Sequence, residues 1–71
     1  MTDTNRLKGA IAAAGLTQAA VAEKIGLSPT ALNNKITNKS SFKADEIQKL
    51  TQLLKLTREE TDRIFFAVKV D

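Results

Sequence analysis

The sequence predicts an all-α domain. Apolar residues recur at helical spacing along most of the chain, residues that favour helix starts precede these stretches, and glycines or a polar segment separate them. A chain of 71 residues with one proline and three glycines has room for one small domain. We therefore expect residues 1–71 to form a single compact domain of five helices, and an extended C-terminal tail is left open.

The first helix is predicted from about Asn5 to Ala14, and Asp3 or Thr4 can cap its start. Gly15 fits the left-handed position that commonly follows a helix. Gly9 falls inside the helix, where glycine costs roughly 1 kcal/mol relative to alanine unless another helix packs closely there. The expected inner face consists of Leu7, Ala10, Ile11 and Ala14.

Two short helices joined by a tight turn are predicted next, over residues 18–25 and 29–37. Thr17 and Ser28 are suitable N-caps, and a proline at the first position of the second of these helices is a further start signal. Gly26 suits a turn that requires positive φ. The apolar positions that would hold the pair together are Val21, Ile25, Leu27 and Leu32, with Ala22 small at the point of contact.

The last third of the chain predicts a polar loop and two more helices. Residues 38–43 form the loop, in which Phe42 is expected to point inward. The fourth helix is predicted from about Ala44 to Leu54, and its apolar stripe consists of Ile47, Leu50, Leu53 and Leu54. The fifth helix begins at Thr57, which forms a capping box with Glu60.

The chain contains no cysteine and no histidine. Disulfides, thiolate metal ligands and Ser-His or Cys-His nucleophile pairs are thereby excluded. We expect no enzymatic activity and no metal or cofactor, because no constellation of side chains supports catalysis. No apolar run approaches the ~20 residues of a membrane span, and the N-terminus lacks the layout of a signal peptide. A cytoplasmic protein without membrane contact is expected.

The net charge of +3 is unevenly distributed. Residues 1–43 contain six basic and two acidic side chains, whereas residues 44–71 contain five basic and six acidic ones. No Asp or Glu occurs from Lys24 to Ala44. A one-sided positive region is expected of a protein that binds a polyanion. A solvated surface with unevenly placed lysines would give the same totals.

The outer side of the third helix is polar and lacks acidic groups. At about 100° per residue, Thr30, Asn34 and Thr37 lie opposite the predicted buried residues Leu32 and Ile36. The residues that flank this outer side are Ala31, Asn33 and Asn38. Amides and hydroxyls on an exposed helix face suit the base edges of a DNA major groove.

The segment QAAVAEKIGLSPTALNNKITN, residues 18–38, combines these features and resembles the helix-turn-helix of the lambda-repressor-like DNA-binding domains. In size the chain resembles the short Cro-like phage regulators. The resemblance extends from NRLKGAI through the loop ITNKSSF to DEIQKL and RIFF. It implies a transcriptional regulator, such as a repressor, that binds double-stranded operator DNA with its third helix in the cytoplasm of a bacterial host.

The resemblance also implies roles for particular residues. Those expected to contact base edges are Pro29, Thr30, Asn33 and Asn34. Those expected to contact the DNA backbone are Thr17, Gln18, Ser28, Lys35, Thr37, Lys39, Ser40 and Lys43. The chemistry is suitable, since an Asn amide can bond adenine in bidentate fashion and a Thr methyl can contact the thymine methyl.

Two residues depart from the pattern of that family. Pro29 has no N–H to donate to a base, so that position offers only shape or apolar contact. Lys35 occupies a position that is often apolar. Its stem is expected to pack while its ammonium reaches outward, and Ile36 takes over the packing.

The C-terminal tail permits two interpretations. Phe65 and Phe66 point about 100° apart on a helix, so both cannot easily face one core. In the first interpretation the alternating tail forms a homodimer or partner interface through Phe65, Phe66, Val68 and Val70. Such a dimer would place two recognition helices about 34 Å apart, one turn of DNA. In the second, Phe65 closes the core and Phe66 covers its edge.

A second function is left open beside direct DNA recognition. The third helix contains no arginine, which is the commonest reader of guanine and a strong phosphate partner. The chain could therefore act as a modulator that binds another regulator, such as a second phage repressor, with weak or no DNA binding alone.

Overall fold

The computed structural model describes residues 1–66, which form five α-helices. The helices are α1 (Thr4–Ala13), α2 (Gln18–Ile25), α3 (Pro29–Ile36), α4 (Ala44–Leu53) and α5 (Arg58–Phe65). The predicted all-α class is confirmed, and each predicted helix end lies within one residue of the observed one. α2 packs against α1, α3 and α4, and α1 also packs against α5.

The helix starts follow the predicted capping chemistry. Asp3 caps α1, because its Oδ1 accepts the backbone N–H of Arg6 at 3.0 Å. In the capping box of α5, Thr57 Oγ1 accepts the N–H of Glu60 at 3.1 Å, and Glu60 Oε1 accepts the N–H of Thr57 at 3.0 Å. The backbone N–H of Thr57 and the Thr57 hydroxyl stabilise the charged form of the exposed Glu60 carboxyl and lower its pKa.

The glycines occupy the expected turn positions, and Gly9 is open to solvent. Gly15 and Gly26 have φ of 72° and 78°, the left-handed conformation predicted for both. A Cβ at Gly9 would meet no neighbour within 4 Å beyond the backbone of its own helix. No close helix contact therefore explains glycine at this position of α1.

Each helix contributes between one and three buried apolar residues to the core, and Leu54 follows the end of α4. The core consists of Leu7, Ile11, Val21, Ala22, Ile25, Leu32, Ile36, Leu50, Leu54, Ile64 and Phe65. Each large aliphatic side chain in this set contributes about 1.5–3 kcal/mol by leaving water. The expectation for Ala14 was wrong: it is exposed, because α1 ends one residue earlier and Ala14 follows its last turn.

Phe42 anchors the loop before α4, as predicted. Its ring is half-buried and meets the edge of Phe65 with ring centroids 5.4 Å apart and an interplanar angle of 84°. This edge-to-face arrangement is favourable for aromatic pairs. The loop that follows α3 is thereby tied to the C-terminal end of α5.

Candidate functional site

The turn between α2 and α3 fixes how the two helices meet. Gly26 ends α2 in the left-handed conformation, and the N–H of Leu27 donates to Ala22 O at 2.9 Å. Ala22 is completely buried, so α3 can approach α2 closely at this point. Ser28 then caps α3. The local sequence therefore places the start of α3 beside α2 and turns the outer side of α3 to solvent.

That outer side carries uncharged polar groups. Thr30 and Asn33 are exposed and Asn34 is half-buried, while Leu32 and Ile36 on the opposite side are fully buried. No group within residues 1–66 forms a hydrogen bond with the side-chain amide of Asn34. Its donor and acceptor thus stay available for a ligand.

The first side chain of α2 contacts this surface directly. Gln18 Nε2 donates to Asn33 Oδ1 at 3.1 Å. The bond fixes the Asn33 amide with its oxygen toward α2, which leaves the two N–H groups of Asn33 for another acceptor. Gln18, with a predicted contact to the DNA backbone, and Asn33, with a predicted contact to a base edge, are therefore hydrogen-bonded to each other before any ligand binds.

The two N-cap hydroxyls retain a free donor. Thr17 Oγ1 accepts the N–H of Ala20, and Ser28 Oγ accepts the N–H of Ala31, both at 3.1 Å. A hydroxyl that accepts in a cap can still donate its own hydrogen outward. Thr17 and Ser28 are both exposed, so each can offer this hydrogen to an anion in front of its helix.

The end of α3 is followed by an exposed basic loop. The N–H groups of Lys39 and Ser40 both donate to Asn34 O, at 2.8 and 3.2 Å. Both side chains are exposed, as is that of Lys43 at the end of the loop. Thr37 is also exposed, but its hydroxyl donates to Asn33 O at 2.8 Å. In this rotamer Thr37 has only lone pairs to offer, which a phosphate cannot use.

Lys35 does not reach outward, and that expectation was wrong. Its Nζ forms an ion pair with Glu46 of α4, and the two side chains are only 12% and 8% exposed. Burial by itself would raise the pKa of the Glu46 carboxyl. The hydrogen bond from Lys35, the N–H of Lys43 and the positive charges of both lysines outweigh burial and lower this pKa. Lys35 is therefore engaged within the fold.

The structure also shows a contact that sequence reasoning missed. The amide side chain of Asn38 forms two hydrogen bonds with the backbone of Thr2, each 2.9 Å long. Asn38 has φ of 67°, and asparagine is the non-glycine residue that most readily accepts this conformation after a helix. That preference could have predicted the conformation of Asn38 from the sequence. It could not have predicted the hydrogen bonds, because their partner Thr2 lies 36 residues away.

The two phenylalanines of the tail have different environments. Phe65 belongs to the core, so it closes the fold as the second interpretation held and is not free for an interface. Phe66 is 56% exposed and lines a hollow together with Met1, Thr2 and Asn38. Val68 and Val70 lie outside the described residues.

Residues 1–66 offer neither a metal site nor a membrane-spanning helix. They contain no group of acidic side chains placed to hold a metal ion. None of their helices has both the length and the apolar character that crossing a membrane requires.

Fold and surface together define a small all-α domain with an exposed polar helix face beside a basic loop. The chain belongs to the family described as "Protein of unknown function (DUF739)", whose family model matches residues 1–68. A comparison with curated proteins gave no match.

Proposed function

We propose that the chain is a sequence-specific DNA-binding transcriptional regulator that reads duplex DNA with α3. The observation that carries this proposal is the outer side of α3, where Thr30, Asn33 and Asn34 present donors and acceptors to solvent without an acidic group. Amides of this kind suit the major-groove edge of adenine. The likeness of residues 18–38 to a lambda-repressor-like helix-turn-helix supports the same function.

The surroundings of α3 supply the phosphate contacts that the proposal needs. On one side Thr17, Gln18 and Ser28 offer hydroxyl and amide donors at the starts of α2 and α3. On the other, Lys39, Ser40 and Lys43 are exposed on the loop. Contacts of this kind fix a protein on the duplex, while base-edge contacts select the sequence. Lys35 is left out of this set because of its bond with Glu46.

The contribution of Pro29 differs from that of the amides. It is exposed at the first position of α3 but has no N–H. We assign it an apolar contact, such as one with a thymine methyl. Specificity then depends mainly on Thr30, Asn33 and Asn34.

A binding selection tests the proposal. The protein is incubated with a randomised duplex pool, the bound fraction is sequenced, and the selected duplex is titrated in gel shifts at several salt concentrations. We expect one enriched motif and an affinity that falls linearly with salt on logarithmic axes. Binding without sequence preference, or no binding at low salt, would refute sequence-specific recognition.

A modulator that acts on another repressor is the second candidate. The observation that favours it is Phe66, which stays exposed and lines the same hollow as Met1, although both are large and apolar. Exposed apolar groups next to each other are typical of protein interaction sites. A homodimer through this surface would instead support the first candidate, because it spaces two copies of α3 along the duplex. Recovery of a second repressor by a chain that binds no DNA would favour the modulator.

A further inference from the structure

The N-terminal segment is fastened to the end of α3 by a reciprocal pair of hydrogen bonds. Thr2 N donates to Asn38 Oδ1 and Asn38 Nδ2 donates to Thr2 O, each at 2.9 Å. Both bonds use backbone atoms of Thr2, and Thr2 itself is buried. A third bond, from Thr4 Oγ1 to Ile36 O at 2.7 Å, satisfies a carbonyl at the last turn of the same helix.

The segment is itself held from the opposite side. The N–H of Asp3 donates to Ile64 O, at 2.7 Å, near the end of α5. Residues 2–4 therefore connect the C-terminal ends of α3 and α5. Asn38 is attached to a part of the fold that is fixed from two directions.

Asn38 also determines where the basic loop begins. Its positive φ reverses the chain after α3, and this reversal lets Lys39 N and Ser40 N return to Asn34 O. Lys39 and Ser40 are two of the three loop residues to which phosphate contact is assigned. Any loosening of Asn38 changes the direction in which their side chains leave the helix.

We propose that Asn38 is a positioning residue of the DNA site, which orients Lys39 and Ser40 toward a phosphate through its hydrogen bonds with Thr2. It touches no DNA in this role. The claim that Asn38 affects DNA binding rests on the proposed function. The structural part of the proposal, that the bonds with Thr2 hold the loop, can be measured without DNA.

Asn38→Gly is the decisive variant. Glycine adopts a φ of 67° without strain, so the backbone reversal is kept while both bonds with Thr2 are lost. We expect faster hydrogen exchange at the amides of Lys39 and Ser40. We also expect affinity for the selected duplex to fall about tenfold for all sequences alike, equivalent to ~1.4 kcal/mol.

A double-mutant cycle separates positioning from a general loss of stability. If Asn38 acts through Lys39 and Ser40, adding Asn38→Gly to a variant that carries Lys39→Ala and Ser40→Ala causes no further loss of DNA affinity. If the glycine merely weakened the fold, the two losses would add. Titrations are made well below the unfolding temperature of every variant. Thr2→Ala is the matched control, because it keeps both backbone partners of Asn38 and should bind as the wild type does.

Two results would overturn the inference. One is unchanged amide exchange at Lys39 and Ser40 in Asn38→Gly. The other is faster exchange together with wild-type affinity or with additive losses in the cycle. A wild-type chain that binds no duplex refutes the proposed function and with it the DNA part, while the exchange measurement still decides whether Asn38 holds the loop.

Discussion

Lys35 of α3 and Glu46 of α4 form an ion pair from which water is largely excluded. Glu46 additionally accepts the N–H of Lys43 at 2.8 Å, so one carboxylate joins α3, the end of the loop and the start of α4. A pair of this kind adds little net stability, since both charges lose hydration, but removing one partner is costly. The pair links α3 to α4, and neither charge can be removed without leaving the other enclosed and unpaired.

Lys35→Met is expected to destabilise the protein by about 3 kcal/mol, because an enclosed carboxylate is left without its cation. Combining it with Glu46→Gln should restore most of this loss, since glutamine can still accept the N–H of Lys43. Urea unfolding of the two single variants and the double variant measures the coupling. Additive losses would show that the two side chains do not depend on each other.

Acid should weaken the fold through Glu46. The folded-state pKa of this carboxyl is lowered, so its contribution is fully present above the ordinary glutamate value of 4.5 and is lost as the pH falls through the lowered value. Urea unfolding between pH 3 and 7 should therefore show a smaller pH dependence for Glu46→Gln than for the wild type. Glu59→Gln, at an exposed site on α5, is the control. Identical curves for Glu46→Gln and the wild type would contradict the assignment.

Asn34→Ala and Lys39→Ala should affect DNA binding in different ways. Under the proposed function, Asn34→Ala removes a bidentate amide contact, so it is expected to relax preference at one base position by about 1–3 kcal/mol. Lys39→Ala should weaken all sequences alike and reduce the salt slope by about 1. Selection and salt titration of each variant measure both effects. Lys49→Ala, an equal change of charge on α4, is the control, and an equal effect from it would argue against a specific phosphate contact.

Two glycine substitutions should change stability in opposite directions. Gly9→Ala is expected to stabilise by about 0.5–1 kcal/mol, because alanine favours the helix and meets open space. Gly26→Ala should destabilise by about 1–2 kcal/mol, because φ of 78° is strained for alanine even without a clash. Thermal unfolding monitored by circular dichroism measures both. Equal shifts of the same sign would mean that backbone conformation does not account for these positions.

Alanine substitutions of Phe65, which is buried, and Phe66, which is exposed, can be compared directly because the two residues are adjacent. Phe65→Ala should cost about 3–5 kcal/mol, because it opens a cavity beside Phe42 in the core. Phe66→Ala should change the free energy of unfolding by less than about 0.5 kcal/mol, as is usual for an exposed site. If Phe66 contacts a second copy or another protein, its loss instead lowers the association measured by analytical ultracentrifugation. A large stability loss from Phe66→Ala would place it in the core.

Local chemistry explains why the helices could be predicted from the sequence. Thr17, Ser28 and Thr57 each cap the helix that follows them, and Gly26 takes the positive φ that its turn requires. These signals act over three or four residues, so they can be recognised without knowing the fold. The buried pair Leu32 and Ile36 then fixed which side of α3 faces outward.

Contacts between distant residues could not be predicted in the same way. The rotation of α3 indicated that Lys35 lies near the buried edge, but nothing adjacent in sequence identified Glu46 as its partner. The pairing of Asn38 with Thr2 and the enclosure of Phe65 likewise depend on how the helices pack. Side-chain partners of this kind are set by tertiary structure, which helical periodicity does not encode.

The hydrogen bond between Asp3 and Ile64 also bears on when the loop acquires its shape. Synthesis delivers the N-terminal residues first, and α5 is the last helix described. The backbone N–H of Asp3 therefore has no partner until the end of α5 has been made, and this bond completes the attachment of residues 2–4. Until then, residues 2–4 can bond with Asn38 and Ile36 but lack their second support, at the end of α5. The finished geometry of the basic loop thus requires that the chain has been synthesised at least as far as Ile64.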